Sequence, residues 1–269
     1  MLRDVTQGAL VLTLLLTGWA RAQTPPSTQP ATQPAPGNAP ANANGASPAG
    51  ESESSRRKDG NSAVTVPDPK QVGGEPDGIV QVANLVYAGT MSSRCFADHF
   101  LVRAEKESAI STSRRFHAVK LGSDELFDYP LVIMTGEGDF TLPDAERQNL
   151  RSFVERGGFL LASAGCSSQE WDRAFRREMA SVFAGCPLEK IGMEHPLFNT
   201  VYEIKALKAK HGTPRPLEGI SFGGRLGVLY SQDGLNDTTH TQGCCCCGGN
   251  EITNAEEINV NILAYALLY

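Results

Sequence analysis

The chain lacks most of the patterns that would disclose an activity. It has no G-x-G-x-x-G and no G-K-[ST]; "TGEGDF" at 135–140 supplies glycines and nothing else of either motif, so a nucleotide site is weakly supported. The polar run "QDGLNDTTH" offers Asp233, Asn236 and Asp237 as oxygen donors without the spacing of a calcium loop, and reads instead as a solvated turn region. Positive charge is not in excess: 24 Lys and Arg face 30 Asp and Glu, a formal charge of −6. That balance argues against nucleic acid or an anionic membrane surface as the main partner. No apolar run reaches the about 20 residues of a comfortable membrane span. There is no internal repeat, and the N-terminal segment over 1–22 has neither a twin-arginine pair nor a cysteine to carry a lipid.

The N-terminus does hold a short pattern. A polar start with Arg3 leads into "GALVLTLLLTGWA" and then "ARA", with small residues at Ala20 and Ala22. This reads as a secretory signal peptide over 1–22, cleaved after Ala22; a retained membrane anchor is the alternative. Cleavage removes Arg3, Arg21 and Asp4, one net positive charge, and takes the formal charge from −6 to −7. Export to the periplasm or beyond places the seven cysteines where disulfides form. Residues 23–70 are rich in Pro, Ala, Ser, Gly and Asn and almost free of large apolar side chains. Such a stretch cannot offset its ordering entropy by burial and reads as a disordered tether. The remaining residues, 71–269, are long enough for one domain with a substantial core.

Within that domain, apolar runs alternate with helical spacings. "IVQVANLVYAG", "FHAVKL", "LVIMTG" and "FLLASAG" read as strands, three of them as buried strands of a parallel sheet. Helices are expected over 96–110, 141–158, from Ser167 through "SSQEWDRAFRREMASVFAG", and over "NAEEINVNILAYALLY". Thr141 fits the first cap of the second, Ser167 and Glu170 a capping box of the third, and Asn254 and Glu257 one of the last. After Cys186 the pattern loosens, with strands expected in "HPLFNTVYEI" and "RLGVLYSQDG". The sum is an α/β fold with a mainly parallel sheet flanked by helices. Ligands of such sheets sit beyond the carboxyl ends of the strands, which singles out 89–94, 136–140 and 165–168.

The order "YPLVIMTGEGDFTLPDAERQNLRSFVERGGFLLASAG", "HPLF", "GRLGVLYSQDG" resembles the bacterial domain-of-unknown-function 4159 family, from about Val80 to Tyr269. The pieces that carry the likeness best are Tyr129-Pro130, Arg151 with Gly157-Gly158, and His195-Pro196-Leu197-Phe198. The resemblance implies a flavodoxin-like, class I glutamine amidotransferase-like fold and a bacterial origin. It brings no established activity, and the cysteine cluster is not a mark of the wider family.

Two groups of residues carry chemistry. Cys166 lies between a buried strand and a helix, where a helix N-terminus favours a thiolate and where amidotransferase-like folds hold a nucleophile. Against this, Ala164 and Ser168 spoil a G-x-C-x-G pattern, and no His-x-Glu follows. A working thiol needs a base, and His195 and His240 are the downstream candidates. The second group is "GCCCCGG", Cys244, Cys245, Cys246 and Cys247 side by side. In an extended chain alternate side chains point to opposite sides, so one tetrahedral ion cannot collect all four. Only Cys244 and Cys247 have zinc-like spacing, and a zinc site there needs outside help from His240, Cys166 or His195. Adjacent cysteines pair poorly with each other, which favours disulfides to Cys95, Cys166 or Cys186. The expected function is a non-catalytic module of the cell envelope that binds an envelope protein or a small ligand. The alternatives are a thiol-dependent amidotransferase-like hydrolase using Cys166, and a metal-binding or redox protein built on the cluster.

Overall fold

The computed structural model describes residues 78–92, 95–244 and 249–269. The signal segment, the tether, and Cys245, Cys246 and Cys247 lie outside the described residues. The strands are β1 (Val80–Val86), β2 (Thr112–Lys120), β3 (Leu131–Gly136), β4 (Phe159–Ala164), β5 (Glu189–Lys190), β6 (Glu218–Phe222) and β7 (Arg225–Ser231). The helices are α1 (His99–Glu107), α2 (Asp144–Glu155), α3 (Gln169–Val182) and α4 (Ala255–Leu268). The strands form one sheet in the order β2-β1-β3-β4-β7-β6-β5. The pairs from β2 to β7 are parallel, while β6 runs antiparallel to both β7 and β5.

The apolar runs are continuous because both faces of the sheet are covered. Val132, Met134, Leu160 and Ala162 point to the α2 and α3 side, where they meet Leu150, Phe153, Trp171 and Phe175. Leu131, Ile133, Phe159 and Leu161 point to the α1 and α4 side, against Phe100, Leu101, Ile258 and Ile262. Alternate residues of one strand thus feed two cores. β3 and β4 are buried along their whole length. Among the described residues no helix is long and apolar enough to cross a membrane.

Several local expectations are corrected. The second helix starts at Asp144 with Pro143 in the cap position, not at Thr141; its entry is held by buried Glu178, which accepts from Leu142 N at 3.3 Å and from Arg147. The third helix starts at Gln169, capped by Ser168 rather than Ser167. Asn254 does precede α4, but its side chain serves another segment, accepting from Lys208 N at 2.9 Å, and Glu257 pairs with Arg103. "HPLFNTVYEI" is not a strand. A 3-10 turn occupies Pro196–Asn199, and the Asn261 side chain then takes the amides of Val201 and Tyr202 at 3.0 and 2.8 Å. One buried asparagine satisfies backbone that a sheet neighbour would otherwise have to satisfy. β6 was not foreseen; Gly223 and Gly224, at φ of 57° and 84°, make the tight hairpin into β7 that its sequence encodes.

The largest correction concerns "QDGLNDTTH". It is not a solvated turn: Asp233, Leu235 and Asn236 are at most 2% exposed. The segment leaves β7 and folds into the carboxyl ends of β3 and β4. Asn236 Oδ1 accepts from Ser163 Oγ at 2.5 Å, its Nδ2 donates to Thr135 Oγ1 at 3.3 Å, and Leu235 N donates to Ser163 Oγ at 2.8 Å. Each polar group swapped water for a partner, which is what makes burial tolerable.

Gly234 enters this segment at φ 93°, and a Cβ there would stand 2.9 Å from the Ala164 carbonyl oxygen. The substitution Gly234→Ala is therefore expected to cost about 1–3 kcal/mol, read from the urea midpoint at constant m-value. An unchanged midpoint would mean that the segment is not seated on β4.

Candidate functional site

The carboxyl edge of the sheet gathers the turns after β1, β3, β4 and β7. After β4 the chain makes an unusual corner. Cys166 has φ 50° and ψ 30°, and Ser167 follows at φ 53°. Two successive non-glycine residues in the left-handed region carry strain that surrounding contacts must hold. Those contacts are visible. Ser167 Oγ donates to Asp233 O at 3.0 Å and accepts from Asn250 N at 2.8 Å. Ser168 Oγ donates to Glu137 O and accepts from Trp171 N, so it caps α3 and ties the β3 turn at once. The corner displaces Cys166 from the helix N-terminus that the capping-box spacing suggested.

The sulfur of Cys166 is set against a carboxylate: Sγ donates to Glu137 Oε1 at 3.6 Å. A negative charge beside sulfur opposes a thiolate, the reverse of what a nucleophile requires. Below this pair the sheet edge is filled. Tyr87 donates to Thr135 O at 3.0 Å and accepts from Trp171 Nε1 at 2.8 Å. A Cβ at Gly136 would stand 2.5 Å from the Tyr87 hydroxyl, so glycine is required for that approach. Burial of Tyr87 pushes its hydroxyl up to about 12, which keeps it neutral and a donor. Clefts of about 490 and 300 Å³ do open on the molecule, but they are lined by the α1–β2 connection and by Phe127–Pro130 with Arg156–Gly158, near the amino ends of the strands.

The cysteines divide. Cys95 and Cys244 form a disulfide with Cα atoms 5.5 Å apart, across 149 residues of chain. Cys244 is therefore spent and offers no thiolate to a zinc site with Cys247 and His240. Among the described residues no group of three or more metal-ligating side chains comes together. Cys186 is a half-buried thiol beyond the far end of α3, packed on the apolar core and at the opposite edge from Cys166. The end of the cluster does come to Cys166: Gly249 packs so closely that a Cβ on it would stand 2.7 Å from the Cys166 carbonyl carbon.

The histidines are also separated. His195 caps the 3-10 turn, its Nδ1 accepting from Leu197 N at 3.2 Å, and its ring lies 5.4 Å from that of Tyr265. Tyr265 in turn accepts from Leu226 N, at the start of β7. His195 thus sits at the amino edge of the sheet, while Cys166 lies beyond the carboxyl edge, roughly the 20 Å length of a six-residue strand away. It cannot be the base. His240 is at the carboxyl edge, where its Nδ1 meets Asp237 Oδ2 at 2.6 Å and its ring stacks on His99 at 4.7 Å. His99 was not anticipated as part of any site. Its clue was spacing: Cys95 precedes it by four positions, as His240 precedes Cys244.

Fold and site together define an α/β protein with a mostly parallel sheet and a cysteine on the strained turn after its middle strand. The chain matches the family described as a domain of unknown function (DUF4159) over residues 81–267, well over half its length, and it belongs to that family. No curated protein matches it.

His195 also makes a pH prediction. Burial holds its imidazole below its ordinary 6.5, partly offset by Glu194, and only the unprotonated Nδ1 can accept from Leu197. The stability this contact contributes is full above pH 6.5 and is lost as pH falls through the lower folded value. Urea midpoints from pH 8 to 5 should drop less steeply in His195→Gln than in the parent protein; identical slopes would contradict this assignment.

Proposed function

We propose that the chain is an exported bacterial protein and a non-catalytic binding module of the cell envelope, with a flavodoxin-like, class I glutamine amidotransferase-like domain on a Pro- and Ala-rich tether. The observation that carries this reading is the buried segment after β7. In open α/β sheets the crevice beyond the strand ends is the usual ligand site. Here the protein's own Leu235 and Asn236 occupy that volume and spend its hydrogen bonds on Ser163 and Thr135. A small molecule would have to displace them. What is left for recognition is the rim: Glu137, Cys166, and the loop that returns at Gly249 and Asn250. A rim of loops suits an envelope protein or a small ligand bound at the surface. Export is supported by the sequence over 1–22 and by the long-range disulfide, a bond that persists in oxidising compartments.

One observation favours the second reading, a thiol-dependent hydrolase of amidotransferase type. Paired left-handed residues at Cys166 and Ser167 are the kind of strain that collects at reactive turns. Its weakness is the partner, since Glu137 opposes the thiolate that Cys166 would need.

The two readings separate in one experiment. The full chain is produced in a bacterial host, recovered from the periplasmic or culture fraction, and treated with iodoacetamide without reductant near neutral pH. The binding-module reading expects a mature N-terminus at Gln23, no label on Cys95 or Cys244, and labelling of Cys166 no faster than a free peptide thiol. Labelling of Cys166 tenfold faster or more would overturn the non-catalytic part. An uncleaved chain held in the cytoplasm would overturn export.

A further inference from the structure

The cleft of about 300 Å³ opens where β3 and β4 begin, and its lining is aromatic. Phe127 and Tyr129 stand in it half-buried. Phe153 lies buried beneath, its ring 6.3 Å from that of Phe127. Gly157 and Gly158 add no side chains to the cleft. The Tyr129 hydroxyl has no hydrogen-bond partner among the described residues. Burial, with Glu125 and Asp128 nearby, holds it above its ordinary value, so it stays a neutral donor. Two exposed charges accompany the rings. The Arg156 guanidinium lies over Phe127 at 4.8 Å, and Asp128 lines the same cleft. Neither makes an ion pair among the described residues.

Aromatic-lined grooves are the surfaces on which proline-rich chain docks in the polyproline II form. Such chain leaves its carbonyls without internal partners, open to a hydroxyl donor. Proline also presets φ near −65°, so docking costs less entropy. The protein carries a sequence of this kind close to the cleft. Residues 63–70 read "AVTVPDPK", with Pro67 and Pro69 on either side of Asp68 and Lys70 next in line. One acid and one base in that segment complement Arg156 and Asp128. The longer proline run over 24–40 has no charged residue to offer.

The reach is sufficient. Val80 opens β1 eleven positions after Pro69. β1 pairs with β3, and β3 with β4, all parallel. Neighbouring strands lie about 4.8 Å apart, so the entry to β1 is one strand from Pro130 and two from Gly158. A chain of that length extends to about 36 Å.

We propose that this cleft seats residues 66–70 of the same chain, with Pro67 and Pro69 on the rings, Asp68 toward Arg156 and Lys70 toward Asp128. The last part of the tether then lies along the amino edge of the sheet, opposite the rim. The proposal does not depend on the rim reading above.

Trypsin reads this contact in the full chain. Lys70 precedes Gln71 and is cleavable, and Arg56, Arg57 and Lys58 in the same tether serve as the internal reference. Where opening is fast, cleavage follows the population of the open form. Arg156→Glu reverses a charge at the cleft and leaves the sequence around Lys70 intact. It should speed cleavage after Lys70 at least threefold relative to 56–58, with far-UV circular dichroism unchanged. Tyr129→Phe, which keeps the ring and removes the donor, should act in the same direction. Equal ratios in the parent and both variants would overturn the proposal. So would protection of Lys70 that disappears on hundredfold dilution, since the segment would then sit on a second copy.

Discussion

The fit of one buried segment into the carboxyl ends of β3, β4 and β7 is the constraint on which the rest of this molecule depends. Asn236 is its centre. Its side chain bonds Ser163 and Thr135 on neighbouring strands, and its carbonyl accepts from Ala97 on the far side. Breaking any of these would leave a buried polar group without a partner, at a cost of about 1–3 kcal/mol each. The segment therefore sits in one position. Its surroundings then follow: Asp233 receives Ser167, Ser167 receives Asn250, and the strained corner at Cys166 is held from both sides.

The same fit explains why the most chemical-looking residues are not assembled into an obvious catalytic set. In a parallel sheet the crevice beyond the strand ends is where a nucleophile, a base and a substrate would meet. Here that volume is filled by apolar Leu235 and a satisfied amide. Cys166 is pushed to the rim beside Glu137, His195 is at the opposite edge, and His240 is engaged with Asp237 and His99. Glu251 closes the arrangement, taking both the amide and the hydroxyl of Thr238 from its buried position.

The sheet was legible in the sequence because burial on two faces leaves continuous apolar runs: "LVIMTG" is β3 to the residue, and "FLLASAG" runs one residue past β4, which ends at Ala164. What periodicity could not show was the fate of polar residues. Asp, Asn, Gly and Thr in "QDGLNDTTH" suit an exposed turn as well as a buried hydrogen-bonded plug, and only tertiary partners distinguish the two. Ser167 and Glu170 had capping-box spacing, yet the left-handed backbone at Cys166 and Ser167 moved the cap to Ser168. Asn254 and Asn261 were drawn away from their own helix to distant amides for the same reason. Local propensity lost wherever a long-range partner was on offer. The candidate site was legible as an edge of the sheet but not as a geometry, since His99 carried no signal beyond its spacing from Cys95 and only the fold places its ring on that of His240.

The most direct test of the filled crevice is native-state hydrogen exchange at the amides of Gly234, Leu235 and Thr238, which donate to Ser231, Ser163 and Glu251. If the segment is a permanent part of the core, these amides exchange no faster than those of β4, through global unfolding. Exchange at the rate of an exposed loop, with β4 still protected, would show that the crevice opens and would contradict the account.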